Sequence, residues 1–233
     1  MPIYLLGKSI AFPPAEKADR EGIVAVGGDL SPDRLLNAYA NGIFPWYSDG
    51  DPILWWSPSP RLILFPDELH VSKSMKKLIQ KKSPWFQWTM DRHFREVIEN
   101  CQTISRKGQP GTWITNEMRE AYIHLHEMGF CHSLAVWHEG QLVGGIYGLS
   151  LGKCFFGESM FSKVSNASKF AFIKLAQYLL KMGFIMLDCQ VPSAHLKSLG
   201  AREISRKEFL KLLKQGLQFK TLVGKWDIDN IDN

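Results

Sequence analysis

Residues 132–158 read HSLAVWHEGQLVGGIYGLSLGKCFFGE, and this stretch decides the fold. Two apolar runs, 132–137 and 141–148, flank the short turn Glu139-Gly140, a pattern typical of a β-hairpin. A further apolar run at 154–158 follows directly. The stretch therefore predicts three antiparallel strands connected as a meander.

Amphipathic helices are predicted on both sides of this meander. Before it, apolar residues recur at helical spacing in 72–82, 94–101 and 118–128, with Ser72 and Thr115 as N-caps. After it come a helix at 167–182, a strand at 184–191, a helix ending at Gly200, a strand at 201–204, and a helix opened by the capping box Ser205-Arg206-Lys207-Glu208. This order predicts an α+β chain and resembles the acyltransferase fold of the GNAT superfamily.

The composition changes near residue 70. Upstream, Ser31-Pro32 predicts a helix start and Gly42 its end, and 43–58 is a long loop rich in tryptophan and proline. Such aromatic residues fill a core, stack on a base or line an apolar pocket, and the core is their commonest place. We expect two domains: a small N-terminal domain, 1–70, and a GNAT-like domain, 71–233.

Composition and charge exclude several classes of protein. The 233 residues carry 28 Lys plus Arg against 23 Asp plus Glu, a net charge of +5 that permits a polyanionic partner without requiring one. The four cysteines lie far apart and form no metal-binding or disulfide pattern, so we expect no metal and a reducing compartment. No run approaches the ~18 apolar residues of a membrane span. We therefore expect a cytoplasmic protein.

Lysines are concentrated on one face of the helix predicted at 72–82. Lys73, Lys76, Lys77 and Lys81 lie opposite the apolar residues, and the segment contains no acidic residue. A solvated helix face is the commoner explanation of a lysine run, and a phosphate-binding face is the alternative. Charge alone does not decide between them.

Two acidic residues stand among apolar neighbours. Glu158 ends an apolar strand, and Asp188 follows Met186-Leu187. A carboxylate in such surroundings is paired, neutralised or kept for chemistry, and structural pairing is the commoner case. Because side chains alternate along a strand, Asp188 and Gln190 are expected to face the same side and to reach one reacting group.

Six strings of uncommon residues occur along the chain in this order: Gly27-Gly28-Asp29-Leu30, Gly42-Ile43-Phe44-Pro45-Trp46, Trp55-Trp56-Ser57-Pro58, Gly111-Thr112-Trp113-Ile114-Thr115, Gly157-Glu158-Ser159-Met160-Phe161-Ser162 and Asp188-Cys189-Gln190. Together they closely resemble the bacterial leucyl/phenylalanyl-tRNA–protein transferase family. The likeness leaves out only the C-terminal tail, residues 216–233.

The resemblance implies an activity. Members of the family move leucine, phenylalanine and, less readily, methionine from charged tRNA to an N-terminal Arg or Lys of a protein, which marks that protein for degradation. It also implies a small N-terminal domain packed on a GNAT-like domain, a monomer, and no cofactor, neither metal nor acetyl-CoA. The partners would be aminoacyl-tRNA and acceptor proteins or peptides.

The resemblance also assigns roles to residues. Asp188 would be the proton acceptor, Gln190 would orient and polarise the reacting groups, and Glu158 would help to hold the amino groups or the cationic side chain of the acceptor. The pocket for the aminoacyl side chain would be formed by Trp46, Trp113, Ile146, Phe155, Leu175, Leu179 and Leu187. The tRNA acceptor stem would lie against Lys73, Lys77, Lys81 and Lys82.

Two other classes of function compete with this one. A GNAT-type N-acyltransferase would use acyl-CoA, but the Gln/Arg-x-x-Gly-x-Gly/Ala string that holds the coenzyme pyrophosphate is absent from the sequence. A non-enzymatic tRNA-binding module would bind charged and uncharged tRNA equally and form no product. Neither alternative accounts for the joint presence of the six strings.

Overall fold

The computed structural model describes residues 3–80, 85–104 and 113–227 of the chain. Its strands form two sheets, one of four strands and one of seven. The prediction of an α+β chain with a small N-terminal domain is confirmed. Within those ranges, no helix combines the length and the apolar character that a membrane crossing requires.

The N-terminal sheet has the strand order β1-β2-β4-β3. Its strands are β1 (Tyr4–Leu6), β2 (Ile23–Gly27), β3 (Phe44–Pro45) and β4 (Leu54–Trp56). Helix α1 (Pro32–Ala40) connects β2 to β3 and ends before Gly42, which takes a φ of +74°. The loop predicted at 43–58 is wrong in part, because its two ends pair as antiparallel strands. Aromatic residues favour strands, and the prolines and glycines between them hid this signal.

The larger sheet has the strand order β11-β5-β10-β9-β8-β7-β6. Its strands are β5 (Arg61–Leu64), β6 (Gln87–Met90), β7 (Cys131–His138), β8 (Gln141–Leu151), β9 (Cys154–Ser162), β10 (Met186–Asp188) and β11 (Arg202–Ile204). The meander predicted from the opening stretch is confirmed as β7, β8 and β9. At its first turn Glu139 and Gly140 take φ values of 50° and 73°, as a tight hairpin requires.

Among the described residues, six more α-helices surround this sheet. They are α2 (Lys73–Ile79), α3 (Phe94–Thr103), α4 (Asn116–Glu127), α5 (Ala167–Lys181), α6 (Ala194–Lys197) and α7 (Arg206–Gly216). The three predicted N-caps are confirmed, because Ser72, Thr115 and Ser205 each accept a backbone N–H of the first helical turn. Helix α5 connects β9 to β10, the one parallel pair among the larger sheet's described pairings.

The larger sheet lies between two apolar cores. Side chains of α3, α4, α7 and the N-terminal domain form the first core on one face, and those of α2 and α5 form the second core on the other. Adjacent residues of β5 and β9 alternate between the two, so that Phe155 enters the second core and Phe156 the first. Both faces of the sheet are therefore covered.

The N-terminal domain packs tightly against the larger one. A Cβ atom on Gly42 would lie 2.7 Å from Leu210 and 2.8 Å from Phe209, both on α7. Helix α1 also contacts α4. Strand β5 pairs with β10 and β11 although it precedes residue 70, so the chain enters the larger sheet before the predicted boundary. This packing brings a face of α1 next to β9.

Candidate functional site

Glu158 lies in a β-bulge of strand β9. Tyr147 of β8 pairs with Ser159, and Gly148 pairs with Gly157, so Glu158 is the one residue between them without a partner on β8. A bulge bends the strand and changes the direction of the extra side chain. The side chain of Glu158 consequently reaches the cavity at the end of β10.

A cavity of about 210 Å³ opens beside this bulge, where β10 ends and β9 continues. Most of its wall is apolar, with Glu158 and Gln190 as the polar groups that face each other within it. The lining residues are Phe44, Pro45, Trp46, Trp113, Ile146, Gly157, Glu158, Ser159, Met160, Phe172, Leu187, Cys189, Gln190, Val191 and Leu196. Few, convergent polar groups in an apolar cavity are typical of a binding site for an organic substrate.

Three side chains hold the carboxyl group of Glu158. Its Oε1 accepts hydrogen bonds from Tyr39 at 2.7 Å and from Gln190 Nε2 at 2.8 Å, and its Oε2 accepts one from Tyr122 at 3.1 Å. The two tyrosine hydroxyls also contact each other. Burial outweighs these hydrogen bonds and raises the pKa of Glu158 from 4.5 to about 7. The group is thus close to half-protonated at neutral pH.

Gln190 has an unusual backbone conformation. Its φ is +63°, in the left-handed region that residues other than glycine seldom occupy. The conformation is held on both sides, since the Gln190 N–H donates to Asp188 Oδ1 at 2.9 Å and the Gln190 carbonyl accepts from the Leu62 N–H at 3.2 Å. The turn directs the Gln190 side chain back toward Glu158.

Asp188 is paired with Arg61 beneath this turn. Arg61 donates from Nε to Oδ1 at 2.9 Å and from Nη2 to Oδ2 at 2.6 Å, and both side chains are fully buried. The rings of Phe44 and Phe209 lie 4.7 and 4.4 Å from the guanidinium. Asp188 is not among the cavity-lining residues. Its carboxylate is committed to Arg61 and to the backbone of Gln190.

The residues predicted to form an aminoacyl pocket lie in two places in the structure. Trp46, Trp113, Ile146 and Leu187 line the cavity. Phe155, Leu175 and Leu179 do not; they are buried in the second core, behind the wall. Sequence reasoning missed several wall residues, among them Phe172, which shares α5 with Leu175 and Leu179. Helical spacing places all three on a buried helix but does not tell which of them reaches the cavity.

The supporting residues of the site were missed as well. Tyr39 and Tyr122 look like members of the apolar faces of their helices, and Arg61 looks like a surface cation. Their partners are distant in the chain: Tyr39 on α1 and Tyr122 on α4 meet Glu158, and Arg61 on β5 meets Asp188. No local pattern in the sequence could have indicated these contacts.

The first half of the predicted lysine face, up to residue 80, lies within the described residues. Lys73 and Lys77 are exposed on α2, together with Lys76, and the helix has no acidic residue in its first turn. Lys81 and Lys82 lie outside the described residues. Within 3–80, 85–104 and 113–227, no group of three or more His, Cys, Asp or Glu side chains is arranged to hold a metal ion.

Comparison with known proteins identifies a family. A family model described as leucyl/phenylalanyl-tRNA protein transferase matches residues 63–214, and the model of the N-terminal domain of the same proteins matches residues 28–59. A protein named leucyl/phenylalanyl-tRNA–protein transferase from Syntrophus aciditrophicus is 57% identical over 226 residues, which is 97% of this chain and 94% of that one. Its namesake from Flavobacterium johnsoniae is 58% identical over 212 residues, covering 91% and 99%.

The solved structures that match this chain are far more distant in sequence. A GCN5-related N-acetyltransferase from Kribbella flavida matches with a TM-score of 0.36 and 9% identity, covering 75% of this chain and 61% of that one. The structure of L-PGS from Bacillus licheniformis matches with a TM-score of 0.39 and 10% identity, covering 73% and 54%.

Proposed function

The chain belongs to the leucyl/phenylalanyl-tRNA–protein transferase family, and from this membership we propose how the cavity beside Glu158 carries out the transfer. The reaction takes leucine or phenylalanine from aminoacyl-tRNA and joins it to the N-terminal Arg or Lys of a protein. Aminoacyl-tRNA and an acceptor protein are therefore the two substrates, and a peptide bond is the product.

The cavity receives the aminoacyl side chain. Its apolar walls include Trp46, Trp113, Ile146, Phe172 and Met160. A charged side chain would lose its hydration there without gaining a partner, which costs several kcal/mol. Leucine, phenylalanine and, less readily, methionine fit such a site. The choice of amino acid then depends on the cavity.

The chemistry needs alignment more than activation. In an aminoacyl ester the carbonyl is already reactive, so the neutral α-amine of the acceptor attacks it directly. The new C–N bond forms as the ester C–O bond breaks, and the amine proton ends on the ribose hydroxyl that leaves. No covalent intermediate with the enzyme is required, and the side chains must hold the amine and the developing oxyanion.

Gln190 and Glu158 are the polar groups placed to do this. Gln190 Nε2 is bonded to Glu158, so its side-chain oxygen is the atom available to accept a hydrogen bond from the α-amine in the cavity. Glu158 supports this orientation, and its ionised form suits a cationic N-terminal residue of the acceptor. We assign Gln190 as the residue that orients the nucleophile.

Asp188 acts through Gln190 in this proposal. The resemblance had suggested Asp188 as the proton acceptor, yet its carboxylate already accepts from Arg61 and from the Gln190 N–H, away from the cavity lining. Taking up the proton would break a buried ion pair at high cost. We therefore propose that Asp188 is a positioning residue, which fixes the turn that carries Gln190.

The lysines of α2 bind the tRNA. Lys73 and Lys77 are exposed on a helix without acidic residues in its first turn, and Lys81 and Lys82 extend the same stretch of sequence. Contacts to phosphates give affinity without reading the sequence, which suits an enzyme that accepts several tRNAs carrying the right amino acid. Since charged tRNA is the donor, we place the reaction in the cytoplasm, with a single chain as the working unit.

One observation carries the proposal: an apolar cavity whose polar pair is the hydrogen-bonded Gln190 and Glu158. The test mixes the purified chain with tRNA charged with labelled leucine and a peptide that begins with Arg, beside a matched peptide that begins with Ala. We expect label on the Arg peptide alone. Label on both peptides would refute the acceptor rule, and no label on either would refute the transfer.

A further inference from the structure

Three buried oxygen-bearing groups form a closed triangle behind the cavity wall. Tyr39 and Tyr122 are fully buried, and Glu158 is 8% exposed. Each hydroxyl contacts one carboxyl oxygen of Glu158, at 2.7 Å for Tyr39 and 3.1 Å for Tyr122, and the two hydroxyls contact each other. The triangle therefore has three hydrogen-bonded edges.

Counting protons shows what this triangle requires. Every hydrogen-bonded edge needs one proton, and a tyrosine hydroxyl supplies one proton only. With Glu158 ionised, two protons serve three edges, and one edge brings two lone pairs together. With Glu158 protonated, three protons serve three edges and the ring closes. Burial raises the pKa of Glu158 to about 7, so the protonated carboxyl that closes the ring is well populated at neutral pH.

The ring also determines whether Glu158 offers Gln190 a lone pair or a proton. Whichever way the protons run around the triangle, the carboxyl proton points to a tyrosine, from Oε1 to Tyr39 or from Oε2 to Tyr122. The Glu158 Oε1 that faces Gln190 therefore offers it a lone pair in both protonation states. Gln190 must donate from Nε2, as the 2.8 Å contact has it, and its amide oxygen stays turned toward the cavity.

We propose that Tyr39 and Tyr122 are positioning residues for the transfer. One of the two hydroxyls accepts the hydrogen bond from the protonated Glu158 carboxyl, so that the amide of Gln190 keeps one orientation whether Glu158 is ionised or neutral. The inference rests on the proposed function, in which the Gln190 oxygen orients the attacking amine. It also gives the N-terminal domain a part in the reaction, because Tyr39 lies on α1.

Other charged and titratable groups act on Glu158 from neighbouring elements. Arg61 on β5 lowers its pKa and Asp188 on β10 raises it, and Cys131 on β7 interacts with it electrostatically. Both partners of the Arg61–Asp188 pair stay in place when a tyrosine hydroxyl is removed. A change in pH dependence in a tyrosine variant therefore reports on the ring itself.

The test removes one hydroxyl at a time. In Tyr39→Phe the ring is open, and the Tyr122 hydroxyl, which has lost Tyr39 as an acceptor, donates its proton to Glu158 Oε2. The proton of neutral Glu158 then lies on Oε1 and turns toward the amide oxygen of Gln190. The amide then flips and presents its NH₂ group to the cavity, so kcat falls wherever Glu158 is protonated. Removing a hydrogen bond to the carboxylate also raises the pKa of Glu158, which keeps it protonated up to at least neutral pH.

The readout is the ratio of variant to wild-type kcat, because the acceptor amine itself titrates in both proteins. With a Glu158 pKa of about 7 in the wild type and a higher pKa in the variant, we expect this ratio for Tyr39→Phe to be at least about tenfold lower at about pH 6 than at about pH 8, with the KM for charged tRNA unchanged. Tyr122→Phe should behave in the same way. Tyr178→Phe, a buried tyrosine whose ring stacks on Trp226 in the second core, is the matched control and should show a flat ratio.

A second experiment, in a variant without a titrating group at position 158, separates the effect of the ring from a general loss of activity. In Glu158→Gln the titrating group is gone, so adding Tyr39→Phe should lower kcat by the same factor at both pH values. A pH-independent ratio for the single Tyr39→Phe variant, while the wild type transfers leucine normally, would overturn the inference and leave the proposed function intact. A wild type that transfers nothing would refute the proposed function first.

Discussion

Gln190 occupies a backbone conformation that costs about 1–3 kcal/mol for most residues. The surrounding groups compensate for this cost, since both its N–H and its carbonyl are bonded to fixed partners, Asp188 and Leu62. Strain of this kind persists where the structure overdetermines it, and such places are often functional. The side chain of Gln190 is held in position by its backbone as much as by Glu158.

Removing the Gln190 side chain should affect the chemical step. We expect Gln190→Ala to lower kcat by about 100-fold, the effect of losing one oriented hydrogen-bonding group, while the KM for charged tRNA changes little. Steady-state transfer to an Arg peptide measures both constants. Gln190→Glu keeps the side-chain volume nearly constant and removes the NH₂ group that donates to Glu158, so it tests whether that hydrogen bond is needed. A rise in KM with normal kcat would mean that Gln190 binds substrate without orienting the amine.

Glu158 makes stability depend on pH. Its pKa is raised from 4.5 to about 7 by burial, so the folded chain binds the proton more tightly than the unfolded chain does. This stabilisation is complete below about pH 4.5 and is lost as the pH rises through about 7.

The comparison with Glu158→Gln isolates this contribution. The wild type should lose about 3 kcal/mol relative to Glu158→Gln between about pH 4.5 and about pH 8, at 1.36 kcal/mol per pKa unit. Urea unfolding of both proteins across this range gives the difference, in which the other titrating groups cancel. A difference that stays constant with pH would show that folding does not raise the pKa of Glu158.

At the scale of elements, local signals and long-range contacts differ in what the sequence reveals. The helix starts at Ser72, Thr115 and Ser205 can be predicted from the sequence, because each cap accepts a hydrogen bond from a backbone N–H three residues further on. Strand β5 gives no comparable signal, since it becomes a strand by pairing with β10 and β11, more than a hundred residues away. Glu158 and Gln190 could be found from the sequence, whereas the cavity wall depends on which helix faces turn inward.

Helix α2 allows a prediction about salt. If Lys73 and Lys77 neutralise phosphates, replacing both by Ala should weaken binding of charged tRNA and reduce the slope of log K against log salt by about 1–2, since each contact contributes about 0.7–0.9. Titrations of tRNA at several salt concentrations measure the slope. The matched control replaces Lys211 and Lys214, which are exposed on α7. An unchanged slope for the α2 variant would contradict the assignment.

At the scale of the whole molecule, the segment after α7 closes the second core. Trp226 is 6% exposed, stacks on His132 with 3.6 Å between ring centroids, and donates its backbone N–H to Asp91 at 2.7 Å. His132 is itself bonded to Asp91 at 2.7 Å. The segment lies beyond residues 63–214, which the family model matches, yet it is part of the core.

Trp226→Ala should therefore destabilise the fold by about 3–5 kcal/mol, the usual cost of deleting a buried aromatic side chain. Trp85→Ala is the control, because Trp85 is 49% exposed, and its effect should be below about 1 kcal/mol. Equilibrium denaturation with urea measures both. If the two variants lost stability equally, Trp226 would be a surface contact and the segment a dispensable extension.

Because Glu158 has no partner on β8, odd- and even-numbered residues of strand β9 exchange faces at this position. Before the bulge, odd-numbered Phe155 points into the second core and even-numbered Phe156 into the first; after it, Met160 packs on the second core and Phe161 enters the first. Deleting Glu158 would restore a regular ladder and leave the downstream residues on their present faces, because Ser159 would then follow Gly157 in strict alternation. The strand is thus one residue longer than its neighbour requires, and the surplus residue is the carboxylate of the site.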